Sequence, residues 1–182
     1  MPGMINTIDD PLLQQAKKKA EDSVLPPLQQ DFKNTMAAGL SLMFSRQTFA
    51  LMEDYFKPLT TVEQVPLVVA HGVVKLMSIL YNESQPRSDA DGTAIGPNTA
   101  KMPIQTMGPA AIVLAMHALD YVEEELQLPI TKQIIDEVTK LTVQGVFTLL
   151  QQASKLSDEE FGKIMRTKHG GANAQLQPNQ GA

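Results

Sequence analysis

The chain contains no cysteine. Disulfides, thiol nucleophiles and cysteine metal sites are excluded at once, and the composition suits a reducing compartment. Alternating runs of β-branched and aromatic residues, the signature of strands, are also missing. Val68-Val69 and Val73-Val74 are β-branched, but they sit in a stretch of helical length with no turn signals. No basic region followed by an apolar run opens the chain, so no signal peptide is expected. A helix that spans a bilayer needs about 20 mostly apolar residues. Val65–Ala70 is cut by His71 and Lys75, and Pro109–Met116 by His117 and Asp120, so neither is expected to span. Fifteen basic residues against twenty acidic ones give a mild net charge of -5. That balance argues against broad, unspecific nucleic-acid binding, which needs a concentrated basic face, and no specific nucleic-acid binding is expected either.

What remains is helical. The 182 residues, 43% of them hydrophobic, are enough for one domain with a real core. Asp9 or Asp10 caps a first helix, with Pro11 in its opening turn. Pro26-Pro27 starts a second, in which Leu28, Phe32, Met36, Leu40 and Met43 share a face. Ser45 caps a third, Arg46–Phe56, with Phe49, Met52 and Phe56 aligned. Thr60-Thr61-Val62-Glu63 reads as a capping box, followed by a turn and a helix over Val65–Asn82. Residues 83–102 form a long polar connector. Pro103 opens a single turn, and Pro109 starts a strong helix to Leu126. Thr131 caps Lys132–Ala153, whose Ile135, Val138, Thr139, Thr142, Val146 and Leu149 form a stripe. A second capping box, Ser157-Asp158-Glu159-Glu160, starts a short helix to Thr167.

The expected fold is all-α, a multi-helix bundle of about six to seven helices. Its core is built around Val65–Tyr81 and Pro109–Val122. Residues 1–168 make a single helical domain, and the Gly-, Asn- and Gln-rich 169–182 a disordered, flexible tail.

Reactive constellations are sparse. The three histidines are His71, His117 and His169. His71 and His117 lie on the two most apolar helices, and Asp120 follows His117 by one turn. These are the ligand types of a catalytic metal site, but hydrogen-bonded histidines at helix interfaces explain them better. Asp89-Ala90-Asp91-Gly92 has the look of a calcium loop. Aligned on Gly92, the first ligand position falls on Arg87 and the last on Asn98, so the ligands are not supplied. Gly92–Gly96 lacks the Lys of a phosphate loop. Lys17-Lys18-Lys19 and Glu123-Glu124-Glu125 read as solvated helix faces. No catalytic residue, metal or cofactor is assigned, and the protein is read as a non-enzyme.

Ten methionines are the most unusual feature. Met36, Met43, Met52, Met77 and Met116 read as core filler, although methionine also serves adaptable binding surfaces. Gly39 and Gly72 cost helix stability, which close helix–helix approach would justify. Met36, Gly39, Leu40, Met43, His71, Gly72, Leu76 and His117 are accordingly the candidate helix-contact positions.

Three blocks carry a family resemblance: 36–44 (MAAGLSLMF), 69–84 (VAHGVVKLMSILYNES), and Met102-Pro103 with 109–114 (PAAIVL) through 118–122 (ALDYV). In these blocks and the helix after Thr131 the chain resembles the small helical virion structural proteins of short-tailed bacteriophages. Asp89–Gly96 has no counterpart in that resemblance. It implies a structural role in the virion, assembled in the host cytoplasm, either in the head–tail connector or among internal proteins ejected with the genome. The implied partners are the chain itself, as a homo-oligomer in an assembly, or other virion proteins; membrane contact is implied only for an ejected protein. It implies no catalytic residues. The residues alone leave two other readings open. One is a cellular helical adaptor or regulator holding a partner helix in an apolar, Met-lined groove. The other is a metal-dependent enzyme using His71, His117 and Asp120.

Overall fold

The computed structural model describes residues 10–46, 48–85, 87–88, 94–95 and 102–153. It is all-α. Among the described residues six helices run in chain order: α1 (Pro11–Asp22), α2 (Gln29–Phe44), α3 (Phe49–Phe56), α4 (Val65–Glu83), α5 (Ile104–Leu126) and α6 (Lys132–Gln152). The chain divides into two compact units, Met1–Val146 and Phe147–Ala182, with the division inside α6. The bundle described below is the first unit.

Local chemistry sets most boundaries. Asp10 caps α1 by accepting from the Leu12 amide at 2.7 Å, and Pro11 takes the position where no amide is needed. Pro26–Leu28 forms a 3-10 turn that leads into α2. The box before α4 sits one residue later than the Thr60–Glu63 reading. Thr61 caps, and Gln64 reaches back to the Thr61 amide at 3.3 Å. Glu63, next to it, is held below the usual carboxylate range by hydrogen bonds from its own backbone and then from Thr61.

Three further expectations are corrected. α3 starts at Phe49 rather than Arg46, because the Ser45 carbonyl is occupied by a tight turn, accepting from Thr48 at 3.1 Å and Phe49 at 2.8 Å. α5 starts at Ile104 and runs through Pro109. A proline in the second turn costs one amide donor, and its would-be acceptor belongs to exposed Gln105, where water can replace it. Within the polar connector, Arg87–Ser88 pairs antiparallel with Ala94–Ile95, a two-residue ladder the sequence reading lacked. Asp89–Thr93, the Ser157 capping box, the helix to Thr167, His169 and the 169–182 tail lie outside the described residues.

The core is centred on α5, which packs against α1, α2 and α4. Met107, Ala110, Ala111, Leu114, Ala115, Met116, Ala118, Leu119 and Val122 are completely buried. Its alanines keep the helix slim enough for three neighbours. α4 adds Val65, Val69, Val73 and Met77, spaced by four. Met36, Met43, Met52, Met77 and Met116 are all buried, as expected of core filler. Gly39 lets α2 approach α5, since a Cβ there would lie 2.7 Å from Leu114 Cδ1. α5 ends at Gln127 in the left-handed conformation, φ 56°, a position that favours glycine.

Candidate apolar docking groove

α3 is short, and two aromatic contacts hold it. Phe49 and Phe56 both pack on Tyr121 of α5, with ring centroids 6.1 and 5.8 Å apart. Tyr55 meets Phe56 edge-on at 5.4 Å. On the other side Tyr55 lies over Gly72 of α4, where a Cβ would stand 2.7 Å from its ring. Its hydroxyl donates to the Val68 carbonyl at 3.3 Å. Burial pushes the Tyr55 phenol above its ordinary pKa. α3 is thus fixed at its base while its outer face stands off from α4.

The space left between them is an open groove of about 260 Å³. Met43, Met52, Phe56, Val73 and Ala118 form its floor; Leu51 and Tyr55 line the α3 wall, and Leu76 and Ile79 the α4 wall. Leu51 is 68% exposed and Ile79 50%. Lys75 is the sole charged lining residue. Such a surface accepts apolar side chains. It offers no nucleophile paired with a base, and the one phenol is committed to a carbonyl.

A second, polar cleft separates α1 from α5, lined by Gln14, Lys17, Lys18, Glu21, Asp22, His117, Asp120 and Glu124. Here the solvated reading of Lys17 is overturned. Lys18 and Lys19 are exposed, but Lys17 is buried in the stripe Leu13, Lys17, Ala20 that docks α1. Its ammonium pairs with Asp120. Asp120 is therefore bound across helices, and His117 Nδ1, one turn before it on α5, stands 3.9 Å from the same carboxylate.

No family model, curated protein or solved structure matches this chain.

The candidate helix-contact positions fall into three groups. Met36 and Gly39 are buried, with Gly39 against Leu114, and Leu40 beside them is half-buried. Met43, Gly72 and Leu76 line the groove. His71 is exposed on α4, whereas His117 lines the α1–α5 cleft. The two histidines are not brought into one site with Asp120. Among the described residues no group of three or more His, Asp or Glu side chains is placed to hold a metal ion.

Sequence reasoning missed Leu51, Tyr55 and Ile79. The available signal was apolar residues off the buried stripes: Leu51 lies off the Phe49–Met52–Phe56 face, and Ile79 off the Val69–Val73–Met77 face. The expectation that His71 and Lys75 leave the α4 stretch short of a membrane-spanning length also needs correcting. Val62–Glu83 is long and apolar enough to cross a membrane by length and composition. Its stripe from Val65 to Leu80 packs in the core, while Leu67 and Ile79 stay exposed.

Proposed function

We propose that this protein works through protein contacts rather than chemistry, as a structural component of a tailed-phage virion, in the connector or among the ejected internal proteins. The observation that carries the reading is the open apolar groove between α3 and α4. Exposed Leu51 and Ile79 flank an apolar floor, and burying the part of each that is still exposed would contribute about 1–2 kcal/mol per side chain. Isolated apolar residues on a surface are ordinary, but a lined groove of them marks an interaction site. The virion assignment draws on the resemblance in blocks 36–44, 69–84 and 102–122.

The deciding experiment is mass spectrometry of purified particles from cells expressing the tagged protein with its neighbouring genes. Stoichiometric recovery in particles is expected. Its absence from particles overturns the reading.

A second reading uses the same groove. A cellular adaptor would hold a partner helix there, with apolar residues at spacings of three and four entering between the walls. Specific capture of one amphipathic helix, without particle association, favours it.

A further inference from the structure

We propose that α1 is an exchangeable arm, which leaves its own α5 and docks on the α5 of a second copy to give a reciprocal dimer. This rests on the reading that the protein acts through subunit contacts, and it names the surface and the partner.

The surface is the face of α5 that α1 covers, and the helix seated there shows what fits it. α1 docks through a stripe of Leu13, Lys17 and Ala20, with Val24 buried just beyond. A charge thus interrupts the apolar stripe at its centre. That lysine needs a carboxylate at one point of α5, and Asp120 supplies it. A buried ion pair adds little stability compared with apolar contact, but it rejects a helix that brings no cation to that point. The face therefore selects α1 more strongly than it holds it. Every copy of the chain carries the same α1, so a second copy meets the requirement in full.

The hinge is suited to letting the arm out. α1 ends at Asp22, and Ser23–Leu25 leads to Pro26-Pro27. Leu25 is extended, φ -61° and ψ 143°, the conformation favoured before a proline. The two prolines prevent α1 and α2 from merging into one helix, and they favour extended chain. Gln29 Nε2 closes the hinge by donating to the Val24 carbonyl at 2.8 Å and to the Glu21 carbonyl at 3.5 Å. Leu25 itself is 61% exposed. A reciprocal exchange reuses the α1–α5 contact unchanged, so the hinge is where new contact is made. The two hinges pass each other at the two-fold axis, and Leu25 of each copy gains an apolar neighbour in the other. The closed arm leaves this leucine in water and the exchanged arm covers it.

Charge exchange between two variants tests this in the full-length protein by sedimentation equilibrium. Wild type is expected to show a concentration-dependent dimer. In K17D, and in D120K, arm and site carry like charges, so each variant alone should dimerise at least tenfold more weakly. Mixed in equal amounts they should form a one-to-one heterodimer tighter than the wild-type dimer. The acidic arm of K17D then meets the basic site of D120K, the native pair forms at the other site, and docking within one chain no longer competes. K17D with D120K in one chain restores an opposite pair and should match wild type in helicity and dimerisation. L25D changes only an exposed hinge residue and should weaken the dimer at least tenfold with helicity unchanged. A wild type that stays monomeric at millimolar concentration overturns the exchange. So does a dimer indifferent to L25D, or one that K17D and D120K each leave intact. Particle mass spectrometry separates the two levels. A monomer found in particles sinks the exchange alone, and a dimer with this charge pattern that is absent from particles sinks the virion role alone.

Discussion

Gly39 and Leu114 mark the closest approach of α2 to α5. A Cβ built on Gly39 lies 2.7 Å from one Leu114 methyl carbon, 2.8 Å from the other and 3.3 Å from Cγ. The whole end of the leucine is in the way. Leu114 is completely buried, so it cannot swing into solvent to make room. Gly39→Ala gains about 1 kcal/mol of helix propensity but forces an overpacked core, which costs about 1–3 kcal/mol. A net loss of about 1 kcal/mol is expected in urea unfolding. The sign should invert in a Leu114→Ala background, where the added methyl fills vacated space. A double-mutant cycle that shows no coupling would contradict the contact.

That glycine was legible in part. Its cost inside an apolar helix pointed to a close approach, but the sequence does not say what approaches. The same limit recurs. Caps and prolines located α1, α2, α4 and α6 because their physics is local. α3 was placed three residues early because Ser45 uses its backbone carbonyl, rather than only a capping side chain, to turn the chain. The Lys17–Asp120 pair joins residues 103 apart; the Leu13–Lys17–Ala20 spacing sets Lys17 apart from Lys18 and Lys19, but nothing near it names the partner. The groove was invisible for the same reason: its walls come from α3 and α4 and its floor from α2 and α5 as well.

At the Lys17–Asp120 pair a single substitution should cost more than a double one. Side-chain exposures of 9% and 23% mean both charges have lost much of their water. Asp120→Ala strands the ammonium among Leu13 and Ala20. Removing one partner of a fully buried pair costs about 3–5 kcal/mol, and the partial exposure of Asp120 lowers this to about 2 kcal/mol. Lys17→Met with Asp120→Leu replaces the pair by apolar contact and should recover most of that loss. Chemical denaturation of the three variants measures it. A double variant no more stable than Asp120→Ala alone would show that the pair is not what holds the helices there.

Thr142 is completely buried on α6, and its hydroxyl oxygen has no hydrogen-bond partner. Among the described residues it is the lone buried side-chain polar atom in that condition. Valine has nearly the same shape without the hydroxyl. Thr142→Val removes a desolvated polar group and should stabilise the fold by about 1–2 kcal/mol. A rise in the thermal midpoint checks it, and a fall would reveal a hydrogen-bonded water at that hydroxyl.

Alkaline pH should unfold the protein through its tyrosines. Burial raises the pKa of Tyr55, Tyr81 and Tyr121 above the ordinary 10.0, and the nearby charges of Glu53 and then Glu125 raise Tyr121 further. The folded chain thus keeps protons that the unfolded chain releases. For a raised pKa the stabilisation is complete below pH 10 and drains away as the pH climbs through the folded values. The loss bears on the groove directly, because Tyr55 bridges α3 to the Val68 carbonyl and Tyr121 receives Phe49 and Phe56. Absorbance near 295 nm, a generic phenolate signal, should rise above pH 10 together with loss of helicity. Tyr55→Phe keeps the ring against Gly72 and removes one titrating group, so it should shift the alkaline transition to higher pH. Phenolate absorbance that saturates near pH 10 with full helicity retained would mean that the three rings titrate as solvent-exposed groups.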